Sequence, residues 1–120
     1  PDFGTKAPGG LIFTPPAHMF TAHSTPLSIR FLRHQAGIEP GSAALVARHG
    51  SWNRSRKSGY DVVLLRWRAD GSVIEEPFIT GFEKAERVIG RPVGIFETAD
   101  GAIFITDDFA RVIYRLVRSR

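Results

Sequence analysis

The sequence predicts an all-β protein of propeller type: one four-stranded antiparallel blade, then an incomplete blade of three strands. Three observations predict it. Seven short runs with period-2 alternation or β-branched character fall between residues 27 and 117. Helical patterning is confined to Phe82–Ile89, a short and poorly patterned candidate helix. The order "apolar run, turn, apolar run ending in polar residues, loop, long β-branched run" occurs twice, as in repeats of roughly 40–45 residues built from four strands.

Residues 1–26 carry five of the eight prolines, and Pro8-Gly9-Gly10 and Pro15-Pro16 break regular structure. This reads as an extended lead-in segment with a short candidate strand at Leu11–Thr14. The first blade spans 27–79. Leu27–Leu32 alternates Leu27, Ile29 and Phe31 with Ser28 and Arg30; Ala43–Arg48 is a short apolar run; Tyr60–Arg68 is β-branched and aromatic; Val73–Ile79 follows the Asp70-Gly71 turn. The second blade spans 92–117, with strands at Pro92–Glu97, Ala102–Thr106 and Val112–Val117. The first two flank Asp100-Gly101, a strong hairpin signal. A propeller needs about four or more blades. Fewer than two complete ones, in a chain that opens on Pro1, are expected to belong to a larger ring whose last blade is completed by a strand from elsewhere. Seven strands in about 100 residues also suit a free-standing β-sandwich or barrel.

The 120 residues make one ordinary domain at most. With 42% hydrophobic and 23% charged residues the chain is globular rather than disordered. The absence of cysteine excludes disulfides, a thiol nucleophile and a Cys-type zinc site. No apolar run approaches the ~18 residues of a membrane span. The net charge of +4 comes from 16 basic and 12 acidic residues. The excess gathers at Arg54, Arg56 and Lys57 and at Arg111, Arg115, Arg118 and Arg120. A solvated basic surface is the plain reading, a pocket for a small anion the next, and nucleic acid the last.

In a four-stranded meander the B–C loop and the D-to-A crossover open on one face, and the A–B and C–D turns on the other. The turns at Asp70-Gly71 and Asp100-Gly101 are tight and carry little chemistry. The opposite face collects His23 in the Ala22–Pro26 lead-in, His49–Gly59, the crossover from Thr80 to Pro92 with Arg91, and Asp107–Arg111. Function concentrates on long loops held by a rigid scaffold, so this face is where a site is expected. Each residue also has a plain structural reading. His23 can serve a turn. Trp52 can lid the core. Arg91, extended before Pro92, can pair with Glu86 or Asp107. Asp107-Asp108 can cap a loop by Asx turns, or offer two carboxylates, which is little, to calcium. No Walker loop, Ser-His-Asp order or His-x-x-x-His helix is present.

His49-Gly50-Ser51-Trp52-Asn53-Arg54, then Gly59-Tyr60-Asp61-Val62-Val63, resembles the C-terminal region of the glucose/sorbosone dehydrogenase family. So do Gly81-Phe82, Gly90-Arg91-Pro92-Val93-Gly94, Asp100-Gly101, Thr106-Asp107-Asp108, Ile113-Tyr114-Arg115 and the upstream Ala22–Leu27. The sorbosone dehydrogenase-like branch is the most similar, over roughly residues 20–118. The resemblance implies two terminal blades of a six-bladed β-propeller, from a periplasmic or secreted quinoprotein. Its cofactors would be pyrroloquinoline quinone (PQQ) and calcium. Its partners would be a sugar or aldehyde substrate and an electron acceptor, with no nucleic acid. Arg91 matches the family's quinone-contacting arginine, His49 lies near a cationic quinone contact, His23 falls at a small polar contact, and Arg48 is an auxiliary candidate. Val93 stands where relatives have a second arginine. The family's catalytic base and calcium ligands belong to earlier blades, so this stretch would hold part of the cofactor wall and no base. Two blades alone would expose apolar faces and strand edges and self-associate. A non-catalytic propeller-derived binding module, and an independent small β domain binding polyanions, are the alternatives.

Overall fold

The computed structural model describes residues 14–117. The expected strand at Leu11–Thr14 lies outside the described residues but for Thr14, which is in no strand. The β-branched and apolar runs pair in sequence order, as a chain with tight turns between short strands must. Strands β1 (Pro26–Phe31), β2 (Ala43–Arg48), β3 (Asp61–Trp67) and β4 (Val73–Ile79) form one antiparallel meander. β7 (Pro92–Glu97), β8 (Ile103–Asp107) and β9 (Val112–Leu116) form a second. Between them β5 (Glu83–Lys84) and β6 (Arg87–Val88) make a small hairpin. The candidate helix at Phe82–Ile89 is therefore a correction. Ala85 and Glu86 both have positive φ (51° and 64°), as a two-residue turn between antiparallel strands requires. Among the described residues there is no helix.

The two predicted Asp-Gly turns have the same construction. Gly71 N–H donates to the Arg68 carbonyl (3.0 Å), Gly101 N–H to that of Thr98 (2.9 Å), and both glycines have a φ of 82°.

The sheets face each other across a core of Leu32, Leu45, Tyr60, Val62, Phe82, Ile103 and Ile105. The alternation in β1 runs opposite to a simple core-facing reading. Ser28 and Arg30 are the half-buried residues, and Leu27, Ile29 (54% exposed) and Phe31 point outward. There they adjoin a second apolar cluster of Val46, Val63, Leu65, Phe20 and Trp67, with Phe31 and Trp67 rings 5.1 Å apart. The far side of the second sheet also exposes Phe96 and Ile113 (67%). Each sheet is thus apolar on both faces, unlike a solvated antiparallel sheet, which alternates apolar-in and polar-out.

Candidate functional site

The ends of three strands are irregular, and all three irregularities lie at the same end of the molecule. The ladders slip at Pro26/Ser28 in β1, Val62/Val63 in β3 and Pro92/Ile95 in β7. Such bulges re-aim side chains and cluster next to sites. The same end holds His23 (φ 65°), Thr25 (53°), Tyr60 (63°) and Arg111 (61°) in left-handed backbone. This is costly for L-residues, and most so for a β-branched or bulky one.

Hydrogen bonds explain how the sequence holds these conformations. The lead-in crosses the loop after β2. Gly50 N–H donates to the Ser24 carbonyl (3.0 Å) and His49 N–H to that of Thr25 (2.9 Å). Arg54 Nη1 donates to the Ala22 carbonyl (2.9 Å). The loop closes on itself through Ser51 N–H to the Ser58 carbonyl (2.9 Å) and Ser58 N–H to Ser51 Oγ (3.1 Å). Gly50, at φ 94°, lies against the buried Tyr60 ring, and a Cβ there would collide with it. The Tyr60 hydroxyl donates to the Ser51 carbonyl.

Onto this base the second sheet brings Arg91, the residue just before β7. Its guanidinium lies 5.1 Å from the Tyr60 ring centroid, within cation–π range. Nη2 donates to the Tyr60 hydroxyl at 3.4 Å, and Nη1 is 3.4 Å from His49 Nδ1. His49 Nε2 is 2.9 Å from Asp108 Oδ1. The His49 side chain is 20% exposed and that of Asp108 64%. The hydrogen bond with His49 holds the Asp108 carboxyl below its ordinary value. Asp107, by contrast, is buried and caps its turn, accepting from Ala110 N–H (2.7 Å) and the Tyr114 hydroxyl (3.3 Å). Burial first, and Asp107 next, raise the Tyr114 phenol.

The four sequence candidates separate. His49 and Arg91 meet, across the two sheets. Arg91 pairs with neither Glu86, which is near Lys57 (3.8 Å), nor Asp107. His23 is exposed in the turn before β1. Arg48 points to the other face of β2, because successive strand residues alternate. There Nε bonds Asp61 Oδ1 (2.6 Å), Nη2 Oδ2 (2.5 Å) and Nη1 Glu75 Oε1 (2.8 Å). The Asp61 hydrogen bond leads in raising the Arg48 pKa. His18 joins this cluster through Glu75 (2.7 Å). Arg48 thus braces the first sheet and is not brought to Arg91. Trp52 is 82% exposed, so its reading as a core lid is corrected: the loop ends the strand before Trp52 and carries it into solvent. Tyr60 was missed as a site residue, because a Tyr opening an apolar strand reads as core. Its positive φ is visible only in the structure.

A four-stranded and a three-stranded antiparallel meander packed across one core, with the long loops gathered at one end, define a pair of propeller blades. Residues 10–119 match the model of the TrAA12-like family, and the chain belongs to that family. It is 37% identical over 118 residues to an uncharacterized protein of Borreliella burgdorferi, covering 95% of this chain and 31% of that protein. Among solved structures it resembles the calcium structure of a Trichoderma reesei family AA12 carbohydrate-active enzyme (TM-score 0.72, 23% identity, 96% of this chain, 31% of that one). It also resembles the holo form of the pyranose dehydrogenase PQQ domain from Coprinopsis cinerea (0.50, 26%, 78% and 26%). The fold is that of these propellers, and the domain is related to PQQ-dependent dehydrogenase domains. The family is TrAA12-like and not specifically the glucose/sorbosone dehydrogenase family that the sequence resembles. The chain spans about a third of the length of these relatives.

Proposed function

We propose that this chain supplies part of the PQQ-binding wall of a quinone-dependent sugar dehydrogenase. The observation that carries the reading is the Arg91–Tyr60–His49 cluster, built across two sheets on strained backbone. The quinone is a planar tricarboxylate, and the donor set suits it. Arg91 makes two long hydrogen bonds among the described residues, leaving guanidinium donors for bidentate carboxylate binding. The buried Ser24 hydroxyl beside the same loop has no partner among the described residues. When bound, PQQ would accept the hydride from the sugar.

The residues here would bind and orient. Arg91 neutralises a carboxylate, the Tyr60 ring supports the guanidinium, His49 holds Arg91 through Nδ1, and the exposed His23 offers a further polar contact. Arg48 acts at most through the frame it braces. Among the described residues no group of three or more His, Cys, Asp or Glu is placed to hold a metal ion, and in this reading calcium is held mainly by other blades. The sorbosone-like substrate, an electron acceptor and a periplasmic or secreted location belong to the same reading. No helix of the described residues is long and apolar enough to cross a membrane. The outward faces around Ile29 and Ile113 would carry flanking blades, and uncovered they favour self-association.

The test is a titration of the chain with PQQ, followed by calorimetry. Arg91→Ala should weaken binding roughly 10- to 100-fold, the loss of a charge-assisted contact. Arg91→Lys should recover part of it. Binding indifferent to Arg91, or absent from the wild-type chain, would overturn the reading.

A further inference from the structure

The cluster contains an acid that the quinone-wall reading does not use. Asp108 sits on the turn after β8, mostly exposed, with its Oδ1 on His49. Arginine has no acceptor and cannot lose its proton in a protein. The Arg91–His49 contact is therefore a hydrogen bond only if His49 Nδ1 is unprotonated and accepts. A carboxylate only accepts, so Nε2 must carry the proton and donate it to Asp108. One neutral tautomer satisfies both contacts. The other neutral tautomer sets two donors facing each other at 3.4 Å and two acceptors at 2.9 Å, and the doubly protonated ring keeps the donor–donor contact.

We propose that Asp108 is a positioning residue. By accepting the Nε2 proton it keeps Nδ1 as an acceptor, and Nδ1 with the Tyr60 hydroxyl holds both terminal nitrogens of Arg91. The guanidinium then lies over the Tyr60 ring with its remaining donors presented to an anionic carboxylate ligand. The ligand named here rests on the quinone reading above; the tautomer does not. A histidine is orientated by the group on its other nitrogen, a general second-sphere effect. Here the oriented object is one step further on, an arginine. Asp107 cannot substitute, since its oxygens serve Ala110 and Tyr114.

The experiment has two readouts. The first is the ¹⁵N spectrum of the histidine rings in the chain at neutral pH, with His49 assigned by the His49→Gln variant. Wild type should show one fixed tautomer protonated at Nε2. Asp108→Ala should give exchanging tautomers, and Asp108→Asn, whose carbonyl oxygen still accepts, should keep the wild-type one. The second readout is PQQ affinity. Asp108→Ala should lose about tenfold, the worth of one oriented hydrogen bond, and Asp108→Asn should stay within about threefold. Asp108 is exposed, so both variants should melt with the wild type.

An Nδ1-protonated His49 in wild type, or a tautomer unmoved by Asp108→Ala, overturns the proposal. So does Asp108→Asn falling as far as Asp108→Ala, which would mean that charge and not orientation matters. The expected tautomers with no PQQ binding by any of the proteins would support the Asp108 role and overturn the quinone reading.

Discussion

Two carboxylates bridge the sheets from the second to the first, one at each end of the interface, and they could hardly be used more differently. Glu97 ends β7, on the side of the tight turns. It is buried, and its oxygens accept from Arg33 N–H (2.8 Å), His34 N–H (3.1 Å) and Gln35 Nε2 (3.0 Å). Gln35 also donates to the Gly101 carbonyl (2.8 Å). Asp108 follows β8 at the other end. It is exposed and holds one imidazole nitrogen. The saturated carboxylate locks the sheets, and the unsaturated one trims the orientation of a cation. The bulges and the left-handed His23, Thr25, Tyr60 and Arg111 gather around the second, while the first has left-handed glycines in its turns. Strain is tolerated there because Glu97 and the core fix the relation between the sheets.

Breaking the saturated end should have the largest effect. Glu97→Ala removes the acceptor of two backbone N–H groups and an amide in a partly buried place. It should cost about 3 kcal/mol or more in urea unfolding. Glu97→Gln keeps one acceptor oxygen and should cost less. A loss below about 1 kcal/mol from the alanine variant would show that the core alone sets the blade geometry.

Next is Gly50→Ala. The new Cβ meets the Tyr60 ring, at a φ that alanine adopts at a cost of about 1–2 kcal/mol. Tyr60 must move, and Arg91 loses its platform. The expected result is about 2 kcal/mol of stability together with PQQ affinity reduced at least tenfold. A stability loss with affinity intact would separate Tyr60 from the site.

Acid sharpens the same comparison. Burial pushes Glu97 up, but the Gln35 bond and the two N–H groups outweigh it and hold its carboxyl below the ordinary 4.5. A lowered folded value gives stability that is fully present above the unfolded value. It is lost as pH falls from about 4.5 through the folded value. Glu97→Gln should flatten this acid limb in melts taken from pH 6 down to 2. Asp108 is also held low, but it is exposed and screened, so Asp108→Asn should leave the limb in place.

The contrast between the ends also explains what could be read in the sequence. The seven main strands were legible because β-branched runs and Asp-Gly turns are local signals. Leu27, Ile29 and Phe31 gave the period of β1 but not its polarity, because a blade is apolar on both faces. The hairpin at Glu83–Val88 was hidden because its turn residues, Ala85 and Glu86, are not those usual at positive φ. His49 and Arg91 were legible as chemistry on one face. Their meeting over Tyr60 depends on long-range register, which no local pattern encodes. Glu97 was invisible for the same reason: its partners lie more than 60 residues away in sequence.

Trp52 gives the smallest expected effect and the cleanest division between scaffold and surface. It stands in the loop that carries His49, closed at its base by Ser51 and Ser58, yet its indole is 82% exposed and covers no core. Trp52→Ala should therefore leave stability within about 0.5 kcal/mol. On the proposed reading, an exposed aromatic in this loop is a surface on which a sugar ring can stack. If that is its use, the variant should raise KM for the sugar in the assembled dehydrogenase and leave PQQ affinity unchanged. A fall in PQQ affinity instead would extend the cofactor wall to Trp52. A large loss of stability would return Trp52 to the scaffold.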